Sequence, residues 1–148
     1  MKEMLVQIAA NFVLVLGFGI LLQTPKKSLL FLGLTGTISW TAFLIVSGLT
    51  GEAITATFFA ALTVGLCGEL FARLKKVPAT IFIMAGILPL VPGVPAYQAM
   101  LHILEDDYLK GLERIVDTIL IAAAIAFGIA IASGIFYYYR QRKENKSS

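Results

Sequence analysis

The sequence predicts an all-α polytopic membrane protein of about five transmembrane helices, the fourth broken by a Pro/Gly segment. Three observations lead there. The 148 residues are 58% hydrophobic and only 14% charged, with a mean hydropathy of +0.86, whereas soluble domains carry about 25% charged residues. The apolar residues fall into runs near the length of about 20 that a helix needs to cross hydrocarbon. Finally, the basic residues cluster at the ends of those runs: Lys26 and Lys27; Arg73, Lys75 and Lys76; Arg140, Arg142, Lys143 and Lys146. Five spans bring all three clusters to one side, the cytoplasm by the positive-inside rule, with the N-terminus outside. Four spans and a re-entrant segment would put the last cluster on the wrong side.

The spans are expected at about 4–23, 28–48, 53–73, 78–104 and 114–139, in a single transmembrane domain over 1–140 followed by a polar, disordered, basic cytoplasmic tail at 141–148. The first begins after Lys2 like a signal peptide. No small-residue cleavage site follows it, and Lys26 and Lys27 stop it, so it reads as a retained span. Pro25 ends it, because the residue before a proline is pushed out of helical geometry. The second span holds Gly33, Gly36, Thr35, Thr37, Ser39, Trp40 and Thr41. Such residues allow close approach and hydrogen bonds across helices, which predicts an interior position. The third follows the turn at Gly48–Gly51. In the fifth, Ala122, Ala126, Ala130 and Gly134 line one face and Ala124, Gly128 and Ala132 an adjacent one. These small-residue ladders suit packing within the chain or against another polypeptide. Phe136 to Tyr139 form an interfacial aromatic belt.

The fourth span carries the functional signal. Pro89, Pro92 and Pro95 each remove a backbone donor and clash with the carbonyl one turn back, so no regular helix continues through them. In hydrocarbon an unsatisfied backbone group costs several kcal/mol, roughly, so irregular backbone survives only inside protein or along a cavity. Transporters place substrate at such breaks. Gly93 permits backbone geometry closed to other residues, and the segment leaves unpaired carbonyls that could accept from an ammonium group or coordinate a cation. A half-helix from about Ala96 would offer free N–H groups to a carboxylate, with Tyr97 and Gln98 adding side-chain hydrogen bonds. The plainer reading is a proline kink that only shapes the bundle.

Ionisable residues within spans are functional candidates. Glu69 and Asp117 are the candidates for proton coupling. Against that, Glu69 sits four residues before Arg73, the spacing of a helical ion pair, and Asp117 is near Arg114. Glu52 suits a helix start, His102 a solvated interface, and Asn11 a bundle-facing hydrogen bond. Cys67 is a lone cysteine, read as a small buried hydrophobe. No metal-ligand set, cofactor motif or nucleophile with its base is present, so an enzyme is not predicted. Nor is there a nucleic-acid reader motif, although the net charge is +3; the partners read from the residues are the bilayer and a small solute.

The segment Pro89-Leu-Val-Pro92-Gly93-Val-Pro95-Ala-Tyr97-Gln-Ala-Met100 resembles the proline–glycine signature of the threonine/serine exporter family, and the early Gly17-Phe-Gly19…Pro25…Gly33…Gly36 pattern fits it. The hydrophobic layout of nearly the whole chain is similar to that family's short component. The resemblance implies a bacterial inner-membrane exporter of small amino acids (threonine or serine) or small carboxylates, driven by an ion gradient. It also implies a hetero-oligomer in which a larger membrane subunit carries the family's other half. Pro89, Pro92, Gly93 and Tyr97 carry over from the signature; Pro95 is an additional proline. The alternatives are a non-transporting membrane scaffold or regulatory partner, and a homo-oligomeric channel.

Overall fold

The computed structural model describes residues 2–144, and among them the chain is helical throughout. It runs α1 (Lys2–Leu21), α2 (Lys26–Thr50), α3 (Ala53–Lys75), α4 (Ala79–Ile87), a 3-10 turn (Leu88–Leu90), α5 (Gly93–Leu104) and α6 (Tyr108–Glu144). Helices α1, α2, α3 and α6 are each long and apolar enough to cross a membrane. The stretch Ala79–Leu90 and the following Gly93–Leu104, bent by 46° at the prolines, together pass as a fifth span. A 46° bend redirects the chain without doubling it back.

Each boundary has a local cause. After α1, Gln23 turns left-handed at φ 54° and the Thr24 N–H donates to the Gly19 carbonyl at 2.9 Å, just ahead of Pro25. Helix α2 ends on Gly51 at φ 70°, whose N–H donates to the Ser47 carbonyl; this left-handed cap is the conformation that favours glycine. Helix α6 begins at Tyr108, well before the expected Arg114. Asp107 caps it, its carboxylate accepting from the Lys110 backbone N–H at 3.3 Å and from the Lys110 ammonium at 2.7 Å, and a capped first turn makes an earlier start favourable. The hydrogen bonds from Lys110 hold the Asp107 carboxyl below its ordinary range. At its other end α6 continues through Tyr139 to Glu144, so residues 141–144 of the expected disordered tail are helical. The rest of that tail lies outside the described residues.

The core is built around α3, which packs against α2, α4 and α6. Phe82 and Ala85 of α4 bury against Val15, Leu32 and Ala72, while Ala60, Ala61 and Val64 of α3 meet Leu90 and Ile125. Helices α3 and α6 run in the same direction at very short range: a side chain on Gly65 would strike Ala132, and one on Gly128 would lie 2.8 Å from the Phe58 carbonyl oxygen. Of the two small-residue ladders in α6, Ala124, Gly128 and Ala132 are therefore the internal one. Ala122, Ala126, Ala130 and Gly134 face outward.

Helix α2 is interior on one face only. Thr35 and Ser39 are buried there, whereas Leu30 and Ile45 are exposed. Of its hydroxyls, Ser39 bonds across helices, donating to the Ala60 carbonyl at 3.1 Å. Thr35, Thr37 and Thr41 instead donate to carbonyls one turn back in their own helix. Two basic residues at the end of α3 reach neighbouring helices at one end of the bundle. The Lys75 ammonium lies 4.1 Å over the Phe31 ring and the Arg73 guanidinium 4.6 Å over the Phe136 ring, joining the start of α2, the end of α3 and the end of α6.

The two ladders make opposite predictions. Gly128→Val forces a side chain against backbone atoms of α3 that cannot give, and overpacking of this kind costs about 1–3 kcal/mol. Gly134→Val meets nothing within 4 Å. Thermal unfolding in detergent should show a clear loss for the first and none for the second.

Candidate functional site at the broken helix pair

The break is an ordered turn. Pro89 has no N–H for the carbonyl one turn back, and the chain tightens into the 3-10 turn. Val91 is then extended at φ −59° and ψ 130°. Pro92 sits at φ −75° and ψ 58°, while the Gly93 N–H donates to the Val91 carbonyl at 2.8 Å. That combination is an inverse γ-turn centred on Pro92. Pro95 falls in the first turn of α5, where its missing N–H has no helical partner to lose.

One expectation about this segment needs correction, and one allowance goes unused. Gly93 does not use glycine's conformational freedom: it is outside the left-handed region, and a Cβ there would meet nothing within 4 Å. Helix α5 starts at Gly93, not near Ala96, and its N-terminus is largely spent. Gly93 donates to Val91 and Ala96 donates to the Pro92 carbonyl, while Pro95 has no N–H. In the first turn that leaves chiefly Val94, so a carboxylate cradle of several free amides is not formed.

The sequence-selected residues do not converge on one point. Tyr97 is 68% exposed on the outer face of α5, and Gln98 is half-buried. Pro95 lines a cleft of about 430 Å³ with Glu52, Arg114 and Asp117, where Asp117 accepts from Arg114 at 3.3 Å. Glu69 lies toward the basic end, between a space of about 410 Å³ shared with Arg73, Val77 and Ala79 and one of about 400 Å³ shared with Ser133, Phe136 and Tyr137. The expected Glu69–Arg73 pair does not appear among the described residues. Arg73 instead donates to the Phe136 carbonyl at 3.4 Å and covers its ring, because that ring and carbonyl lie beside it on α6. The two candidates for proton coupling thus occupy different ends of the bundle.

Pro89 reaches a different cavity, of about 290 Å³, with Gln7, Ala10, Asn11 and Leu14 of α1 and Trp40 of α2. Here the structure adds residues that the motif reading did not select for binding. Asn11 is 6% exposed; its amide nitrogen donates to the Gly36 carbonyl at 3.4 Å. Its Oδ1 and the Trp40 Nε1 are both buried and without a hydrogen-bond partner among the described residues. An indole N–H and an amide inside apolar spans were the available signals, since both normally find partners when buried.

The family model described as "Threonine/Serine exporter, ThrE" matches residues 7–135. A Haemophilus influenzae protein described as uncharacterized is 25% identical over 129 residues, which cover 82% of this chain and 43% of that one. A Corynebacterium glutamicum protein described as a threonine/serine exporter is 30% identical over 132 residues, 87% of this chain and 26% of that protein. The chain therefore spans less than half the length of either relative. No solved structure matches.

A buried polar atom left without a partner costs about 1–3 kcal/mol. Asn11→Leu removes one such atom and only a long hydrogen bond, so its melting temperature in detergent should equal or exceed that of the unaltered chain. A marked drop would show that the amide is satisfied in the folded protein.

Proposed function

The chain belongs to the threonine/serine exporter family, and from that premise we propose that it is the small subunit of an inner-membrane secondary exporter of small amino acids (threonine, serine) or small carboxylates. The observation that carries this reading is the 46° break between Ala79–Leu90 and Gly93–Leu104, an irregular crossing of the kind transporters use for their binding sites. In this proposal Pro89, Pro92 and Gly93 shape the turn, Tyr97 and Gln98 contribute hydrogen-bonding side chains, and one body rocks against another to alternate access. Glu69 and Asp117 are the proposed proton-coupling carboxylates. Asp117 shares its cleft with Pro95, which supports a link between that carboxylate and the break.

The matched relatives are more than twice as long as the segment they share with this chain. We propose that a larger membrane subunit of the same family supplies the remainder. The outward ladder of Ala122, Ala126, Ala130 and Gly134 supports close contact with such a helix-bearing partner. The basic end of the bundle is assigned to the cytoplasm and the N-terminus to the outside, on the positive-inside rule. A second reading, a non-transporting scaffold of a larger membrane protein, draws on the exposure of Tyr97 and the mostly occupied first turn of α5.

Efflux of preloaded labelled threonine, serine and succinate separates these readings, run in cells lacking native exporters with this chain alone and with the larger subunit. Export only with both chains supports the split exporter; export from this chain alone points to a homo-oligomer; none with both present in the membrane favours the scaffold. Within the split reading, Pro92→Ala should accumulate normally yet lower efflux at least about tenfold, a change of about 1.4 kcal/mol in the barrier. A scaffold would instead lose transport only in proportion to its abundance. Glu69→Gln and Asp117→Asn should each reduce the acceleration of efflux by an imposed pH gradient. Unchanged acceleration in both would remove the carboxylates from the coupling mechanism.

A further inference from the structure

We propose that α5 and the first turns of α6 form a helical hairpin standing outside the bilayer, at the end of the bundle opposite the basic one. The cleft at its foot, between Glu52, Pro95, Arg114 and Asp117, is then a water-filled mouth of the solute path. That path rests on the transport reading above; the placement of the hairpin does not. Helices α3 and α6 run side by side, with Gly65 against Ala132 and Gly128 beside Phe58 and Leu62. Followed back along both helices, this register sets Ala53, the first residue of α3, level with about Leu120 of α6. The cleft agrees, because Glu52 and Ala53 share it with Asp117 and Ile121. Residues 108–117 of α6 therefore run past the end of α3, by about 15 Å at 1.5 Å per residue.

Helix α5 lies beyond the same end. Leu90 still packs among Ala60, Ala61 and Val64 inside the bundle, whereas Pro95 has reached Glu52 and Ala53. From there α5 packs chiefly on α6 and antiparallel to it: a Cβ on Gly111 would lie 2.8 Å from the Ile103 side chain and 3.4 Å from the Ala99 carbonyl oxygen. The fourth crossing is thus complete within residues 79–95. The 46° bend marks where the chain leaves the apolar layer, close to water that can serve the backbone groups the prolines release. Charge sets the same boundary independently. Glu105, Asp106, Asp107, Lys110, Glu113 and Arg114 crowd the hairpin, and ionisable side chains are rare and costly at membrane depth. Residues 118–139 of α6 carry no charge and span about 33 Å, close to the hydrocarbon thickness of about 30 Å. Tyr97 and Leu104, 68% and 70% exposed, accordingly face water and not lipid.

Single cysteines placed in a Cys67→Ala background test this, with the full chain in lipid nanodiscs and a charged, membrane-impermeant maleimide. Tyr97→Cys, Leu104→Cys and the cleft variant Ile54→Cys should label at least about tenfold faster than Ala126→Cys, because the reactive thiolate forms in water and is suppressed in apolar surroundings. Ala126 is the lipid-facing reference, exposed on α6 within the uncharged stretch. Labelling of Tyr97→Cys and Leu104→Cys no faster than Ala126→Cys would put α5 in lipid and overturn the hairpin. An equally unreactive Ile54→Cys would overturn the mouth. In cells that export, a bulky maleimide on Ile54→Cys should cut efflux at least about tenfold, and undiminished efflux after complete labelling also overturns the mouth. Absence of efflux from the unaltered protein overturns the transport reading, and the labelling pattern alone then decides the hairpin.

Discussion

Backbone polar groups have no water to turn to inside a bilayer, and this constraint governs the protein. Three prolines within seven residues make a break unavoidable; where the break can lie is then a matter of cover. The α4 segment before it is buried against α1, α2 and α3, with Phe82, Ala85 and Gly86 inside, and Leu90 packs into the α3–α6 cluster. The turn around Pro92 closes its own hydrogen bond from Gly93 to Val91. The irregular backbone is thus held by protein on one side and by its own γ-turn at the apex. Close packing of α3 on α2, α4 and α6 provides that cover, which explains why glycine and alanine dominate the α3 contacts.

Much of this was legible in the sequence because it depends on one-dimensional signals. Run length sets the spans, prolines set the break, and basic clusters at run ends set which ends lie together; the contacts of Lys75 with Phe31 and Arg73 with Phe136 join those ends in space. Features that depend on neighbours from other helices were not legible. Nothing local distinguishes the Ala124–Gly128–Ala132 ladder from the one beside it, and only the approach of Gly65 and Phe58 makes it the inner face. Arg73 has a carboxylate at the correct spacing and a ring on another helix, and the ring wins. Gly93 sits in a proline-rich stretch that suggests special backbone geometry, yet Pro92 supplies the turn and leaves Gly93 in ordinary helical conformation.

The candidate site divides in the same way. The motif drew attention to the apex of the break, where Tyr97 faces outward and the α5 amides are mostly occupied. Just before the break, three elements distant in sequence enclose the two unmatched polar atoms of Asn11 and Trp40. Neither residue is unusual for its span. Asn11 is buried and Trp40 half-buried beside Pro89, with the Asn11 amide donating to the Gly36 carbonyl, a relation that spacing along one helix does not reveal.

The bundle is also mechanically lopsided. At the basic end the start of α2, the end of α3 and the end of α6 are tied by two cation–π contacts, each worth about 0.5–1 kcal/mol when exposed. Toward the other end α5 rests chiefly on α6, and a cleft opens beside Glu52 and Asp117. The basic end is therefore held across three helices, whereas at the acidic end the hold on α5 depends on α6, where a Cβ on Gly111 would lie 2.8 Å from the Ile103 side chain.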